Sequence, residues 1–243
     1  MGTSNANGFR GTGKKNVTTN SKEDALNGIE FERYFAATHD LEPYYRDRAQ
    51  FAVLALGQLG LRRGELTHLT SDWVEWRDEM VKIPRERPCT DGKGGDVCGE
   101  CKRLARQKAR QKDDRTVKEM IEQYWIAKSD AAARRVHFGF DPRIRLVFER
   151  FFDRFEDGWV WSGMTATRDV EKVAEIAGMS TDRLRPHSLR ATAATHHAAR
   201  GMDIYGLMQY FGWIRFSTAE KYINRNVMAT IRNMNSWNGP AVP

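Results

Sequence analysis

From Ile29 onward, apolar residues recur at helical spacing in segments separated by glycine and proline, whereas the residues before it show almost no apolar periodicity. Ile29, Tyr34 and Phe35 mark a first helix. Ala49, Phe51, Ala52, Val53 and Leu56 mark a second over about Arg46 to Leu59, stopped by Gly60. A short helix begins within Leu61-Arg62-Arg63-Gly64-Glu65-Leu66, with Arg62 and Glu65 three apart on one face. Trp73–Trp76 and Met80–Ile83 flank the polar Arg77-Asp78-Glu79 as two short strands, and Pro84 stops the second. Asp141-Pro142 caps a helix carrying Ile144, Leu146 or Val147, Phe148, Phe151 and Phe152. Another helix covers Met164 to Met179, ending at Gly178, and Pro186 opens the next, with Gly212 and Trp213 punctuating the one after it. Val227, Ile231, Met234 and Trp237 continue a helical stripe in the tail. The pattern predicts a mainly α fold with a small antiparallel β-sheet (α+β).

Composition sets the organisation. Residues 1–28 are rich in Gly, Asn, Thr, Ser and Lys and read as a flexible basic tail; 29–225 form one domain with a basic, cysteine-containing insertion at 85–123; 226–243 are a C-terminal tail. Gly8 to Lys14 fits G-x-x-x-x-G-K, but Lys15 stands where a phosphate-binding loop needs Ser or Thr, and no strand precedes it, so a nucleotide-binding loop is rejected. The longest apolar run, Phe51 to Leu61, is interrupted by Gln58 and falls short of the about 20 residues that cross a bilayer, and the N-terminus lacks the apolar core of a secretory signal. The expected setting is the cytoplasm, with no membrane partner.

Charge narrows the partner. Of a net +7, Lys102 to Lys118 supplies +6: eight Lys or Arg against Asp113 and Asp114. A polyanion is implied, nucleic acid foremost. The first half of this segment is expected to be a helix whose Arg103, Arg106, Lys108, Arg110 and Lys112 contact phosphates without reading bases. Just ahead of it stands the knuckle Cys98-Gly99-Glu100-Cys101, with Cys89 nine residues before Cys98. Three cysteines argue against a disulfide framework. Thiolates at this spacing hold zinc when a fourth ligand folds in, with His68, His137, Asp96 or water as the candidates; the alternative is three reduced thiols in a loop.

The stretch Pro186–Tyr222 carries the chemistry. His187 and Arg190 share one face at a helix N-terminus, an end that attracts anions. Taken singly, Arg62 with Glu65 reads as a surface ion pair, His187 as a helix-start histidine, and Trp213 and Tyr222 as core aromatics. Their joint order carries more. His187-Ser188-Leu189-Arg190, Phe211-Gly212-Trp213, Ser217-Thr218-Ala219-Glu220-Lys221-Tyr222 and Leu61-Arg62-Arg63-Gly64-Glu65-Leu66 together resemble the boxes of the tyrosine recombinase, or phage integrase, family over roughly residues 29–225.

The resemblance implies that Tyr222 attacks DNA phosphorus to give a 3'-phosphotyrosine with no ATP or catalytic cofactor. Arg62 and Arg190 would hold the phosphate, His187 would assist the nucleophile, and Lys128 would protonate the leaving oxygen. Trp213 stands where many members have His and would donate its indole N–H, and Glu65 would orient Arg62 or His187. The stretch Tyr124 to Phe138 resembles the family's hairpin with Lys128 in its turn, although His137 and Phe138 replace the usual proline. Tyr205 and Tyr210 compete with Tyr222 but precede Gly212-Trp213; His196 and His197 read as packing or DNA-facing. The implied partners are double-stranded DNA, further copies of the chain in a tetramer, and an accessory protein in place of the family's N-terminal clamping domain, for which residues 1–28 are too short. A type IB topoisomerase-like relaxing enzyme and an integrase-fold DNA-binding regulator are the alternatives.

Overall fold

A helix that is apolar on all sides must be buried on all sides, and α2 (Pro43–Gly57) is buried from Asp47 through Gly57. The computed structural model describes residues 23–110, 116–121 and 125–223. Around α2 pack α6 (Pro142–Arg154), α7 (Gly163–Ile176) and α8 (Pro186–Ala199), with α1 (Gly28–Ala36) against α7. The Phe51 ring stacks on Phe151 at 3.7 Å between centroids and meets Phe148 at 4.5 Å, which fixes α6 on α2. Polar groups drawn into this core are paired, as burial demands: Asp47 accepts from Arg150 and Arg154, each at 2.8 Å, and Arg48 grips Asp169 through two bonds of 2.7 Å.

Helix starts follow their sequence signals. Asn27 and Glu30 form a reciprocal capping box on α1, and Asp141 accepts from the Arg143 N–H ahead of Pro142. The fold begins earlier than expected. Leu26 is 1% exposed and its N–H donates to Thr192 Oγ1 on α8 at 2.9 Å, so the boundary expected at residue 28 lies within the folded part. The C-terminal stripe of Val227, Ile231, Met234 and Trp237 lies outside the described residues.

The strands correct one expectation. β1 (Val74–Glu75), β2 (Met80–Ile83) and β5 (Arg134–His137) form an antiparallel sheet in the order β1-β2-β5, with Val81 opposite both Val74 and Val136. β3 (Glu86–Arg87) pairs with β4 (Trp125–Ile126), so β4 and β5 are not the two arms of a hairpin. Ala127 N–H donates to Arg85 O and Ile83 faces Arg134; residues 128–133 therefore leave the ladder as an excursion between two separately paired segments. Two-residue strands carry too little alternation to specify a partner. Here the partner is set by Trp125, buried against Trp73 and His68.

α3 (Arg63–Leu66) follows α2, α4 (Gly99–Ala109) is the expected basic helix, and α5 (Val117–Ile121) succeeds it. α9 (Ile204–Phe211) and α10 (Phe216–Ile223) close a small second core on α8 from Ala194, Leu207, Phe211 and Ala219. Among the described residues no helix is long and apolar enough to cross a membrane.

Candidate active site

Glu65 organises the centre of the site. It is 2% exposed, accepts Arg62 Nη1 at 2.6 Å and Arg62 N–H at 2.8 Å, and takes Arg134 Nη1 and Nη2 at 2.9 and 3.1 Å. Burial raises its pKa, but the charge and hydrogen bonds of Arg134, then the charges of Arg190 and Arg62, outweigh this and bring it down to about 2. A fixed carboxylate thus sits behind the arginines: in the pair Arg62–Glu65 the glutamate is buried and the arginine is partly exposed to the cleft. Of the two partners expected for Glu65, the structure gives it Arg62.

Arg134 was missed in the sequence. It donates through Nε to Tyr210 O at 2.6 Å and through Nη1 to Ala132 O at 2.8 Å, linking β5, α9 and α3. The signal that could have found it is the alternation of β5, where Arg134 and Val136 are buried and Arg135 and His137 exposed.

Two left-handed glycines let backbone meet guanidinium. Gly212, at φ 61°, caps α9, and its carbonyl accepts Arg62 Nη2 at 2.8 Å. A Cβ there would stand 2.6 Å from Ala131 O, so only glycine allows α9 to close on the excursion bearing Lys128. Gly60, at φ 62°, and Phe211 offer their carbonyls to Nη1 and Nη2 of buried Arg190.

These elements enclose an open cleft of about 870 Å³ lined by Arg62, Lys128, His187, Arg190 and Trp213, five of the six expected catalytic residues. Arg63, Arg185 and Arg215 also line it, and no carboxylate among the described residues does. Such a field concentrates anions. Desolvation, then the charges of Arg190, Lys128 and Arg62, hold His187 below the ordinary imidazole value even though its ring is open to the cleft, so at neutral pH it carries no charge and can accept a proton.

Tyr222, the sixth, does not line the cleft. Its half-buried ring stacks on Trp213 at 5.2 Å and 11°, and Trp213 stacks in turn on Phe211 at 4.9 Å and 18°. Burial raises the phenol pKa, opposed by the charge of Arg190. The competing tyrosines are placed elsewhere: Tyr210 donates its hydroxyl to His137 O at 2.9 Å, and Tyr205 is 75% exposed on α9. His196 and His197 are packing residues, bound to Leu26 O at 3.1 Å and Gln58 O at 3.0 Å.

On α4, Arg103, Arg106 and Arg110 are exposed and line a second, shallow groove, with Arg103 also paired to Glu100 at 2.7 Å. The side chain of Lys108, and Lys112 altogether, lie outside what the structure describes. The same insertion brings its cysteines together. Cys89, Cys98 and Cys101 stand with His68 in a cluster whose donor atoms all lie within 4.8 Å of one another. Of the other expected fourth ligands, Asp96 is exposed and paired to Lys102, and His137 is exposed at the end of β5 against Phe140.

The chain belongs to the phage integrase family, whose model matches residues 25–228. No curated protein matches it in sequence at a significant level. Among solved structures it is similar to XerA recombinase (TM-score 0.57, 18% identity, 90% of this chain and 64% of that one). It is also similar to the Tn1549 transposon integrase in complex with transposon right-end DNA (TM-score 0.58, 14% identity, 88% and 66%). A third is the XerH site-specific recombinase bound to difH substrate (TM-score 0.56, 16% identity, 92% and 57%). The chain thus spans 57–66% of the length of these proteins, and the likeness establishes the mainly helical fold with small antiparallel sheets.

Proposed function

We propose that this chain is a site-specific tyrosine recombinase that cuts and rejoins duplex DNA through a 3'-phosphotyrosine. The observation that carries the reading is the placement of Tyr222 one stacked ring from a cleft lined by Arg62, Arg190, Lys128 and His187. Related structures named as recombinases and an integrase on DNA support DNA as the partner.

In this reading Arg62 and Arg190 hold the non-bridging oxygens of the scissile phosphate. Each is oriented by backbone carbonyls and keeps further N–H groups for the ligand, a role that lysine, a point charge, does not fill. Tyr222 Oη forms the bond to phosphorus as the bond to the 5'-oxygen breaks; neutral His187 takes the phenolic proton and Lys128 gives one to the leaving oxygen. Trp213 contributes its indole N–H to the phosphate and its ring to the tyrosine. Ligation is the reverse: the 5'-hydroxyl attacks the phosphotyrosine, so bond energy is conserved without ATP. Neither metal nor organic cofactor is assigned a catalytic part. A tetramer on two DNA sites, with residues 226–243 exchanged between protomers, completes the proposal.

Incubation with a supercoiled plasmid bearing two copies of the target site tests it. Recombinant circles are expected. Relaxation of plasmids that lack the sites indicates the topoisomerase-like enzyme, and sequence-specific binding without any strand cleavage indicates a regulator; either overturns the proposal.

A further inference from the structure

The basic helix α4 has little to hold it. Four of its eleven residues are Lys or Arg, and its buried side chains are only Cys101 and Ala105 among those described. Its N-terminal turn instead meets the turn after α3 through sulfur and nitrogen. His68 Nε2 lies 3.6 Å from Cys89 Sγ, 3.5 Å from Cys98 Sγ and 3.3 Å from Cys101 Sγ. A tetrahedral zinc ion with Zn–N of about 2.05 Å and Zn–S of about 2.3 Å requires N···S edges of about 3.6 Å. The three distances match that tetrahedron.

The surroundings are built for a ligand set. His68 Nδ1 is 2.7 Å from Gly64 O, a contact that demands the proton on Nδ1 and leaves the Nε2 lone pair facing the three sulfurs. The ring is held flat by Trp125 at 5.2 Å and 24°. Backbone N–H groups point at the sulfurs: Cys98 N–H to Cys89 Sγ and Cys101 N–H to Cys98 Sγ, each 3.4 Å, the arrangement that stabilises thiolates. Asp91 is the nearest carboxylate, 3.8 Å from His68 Nε2 and 3.6 Å from Cys89 Sγ, but its other oxygen is taken by Arg87 at 2.7 Å. Arg87 also donates to His68 O at 2.6 Å, bracing the histidine's backbone.

We propose that His68, Cys89, Cys98 and Cys101 bind one structural zinc ion, which fastens α4 to α3 and so fixes the basic helix beside the cleft. With all four positions filled by protein, the ion has no open site and no part in chemistry. Its location explains a connection between the two basic surfaces. Cys98 and Cys101 flank Glu100, whose carboxylate lies 3.7 Å from Arg63, a residue of the cleft wall. Metal binding itself does not depend on the recombinase reading.

The chain purified under reducing conditions with zinc, then dialysed, should retain one equivalent by elemental analysis. Its cobalt-substituted form should show the intense visible bands of tetrahedral thiolate coordination. His68→Ala and Cys98→Ser should each lower metal affinity by about 100-fold or more, while Asp96→Ala and His137→Ala leave it unchanged. Removing the metal from the wild-type chain should expose α4 to trypsin ahead of the rest of the domain, a readout that needs no variant to fold. The proposal is overturned if wild-type protein retains no zinc, if its cobalt spectrum is octahedral, if Asp96→Ala loses the ion while His68→Ala keeps it, or if stripping leaves α4 as resistant as before.

Discussion

Glu65 on α3 and Arg134 on β5 form a two-point ion pair, 2.9 and 3.1 Å, with both groups buried, and the same carboxylate carries Arg62 into the cleft. A buried pair of this kind is costly to break because the surviving carboxylate keeps its charge and loses both Arg134 bonds, leaving only those from Arg62. Arg134→Met should therefore lower unfolding free energy by about 3 kcal/mol in urea titrations. Adding Glu65→Gln should cost much less than the sum of the two single changes. Additive losses, or a loss under about 1 kcal/mol for Arg134→Met, would show that the pair is not the anchor.

Gly212→Ala tests the close approach of α9 to the excursion. The new methyl meets Ala131 O at 2.6 Å in a left-handed backbone, so something must shift, and the element nearest to hand is the one that carries Lys128. Expected are a stability loss of at least about 1 kcal/mol and slower cleavage, with DNA affinity changed little. Wild-type cleavage kinetics would contradict it.

The structure owed some of its features to long patterns and hid others in short ones. Apolar periodicity over many residues located α2, α6 and α7 within a few residues, since α6 shows five buried positions on one face and an Asp-Pro start. Arg62, His187 and Arg190 were named from their boxes' resemblance to those of the phage integrase family, and the structure brings all three to one cleft. Arg134, the β3–β4 pairing and the choice of His68 were not legible, because each depends on a contact between distant residues. His68 and Cys101 are 33 residues apart, and Glu65 and Arg134 are 69 apart. Leu26 was lost for another reason: one apolar residue next to a Gly- and Asn-rich tail forms no period.

Acid should weaken the fold through His197. Burial holds its pKa down to about 4, against the ordinary 6.5, and its Nε2 is bound to Gln58 O. The unfolded chain takes up the proton first, so stability is full above pH 6.5 and falls as pH drops from 6.5 toward 4. The loss from this group amounts to about 3 kcal/mol. His197→Gln keeps a donor for Gln58 O, so the difference in unfolding free energy between pH 7 and pH 4.5 should shrink by most of that amount. The window lies above the titration of Glu65, whose pKa is near 2. An unchanged difference would exclude His197 as the source.

On α4, Arg106 and Arg110 are exposed on the shallow groove. As phosphate contacts they should weaken binding to every DNA sequence alike when both become Ala, and should flatten the plot of log affinity against log salt by about 1.8 in slope. Altered sequence preference with an unchanged slope would instead make them readers of bases.

The most direct measurement is on the tyrosine itself. A duplex carrying the target sequence and a nick just beyond the scissile bond loses its short 5'-hydroxyl fragment on cleavage, which traps the covalent intermediate. Peptide mapping of that adduct should place the DNA 3'-phosphate on Tyr222, and Tyr222→Phe should bind the same duplex with near-normal affinity and form no adduct. DNA attached to Tyr210 or Tyr205, or an adduct that persists in Tyr222→Phe, would contradict the account.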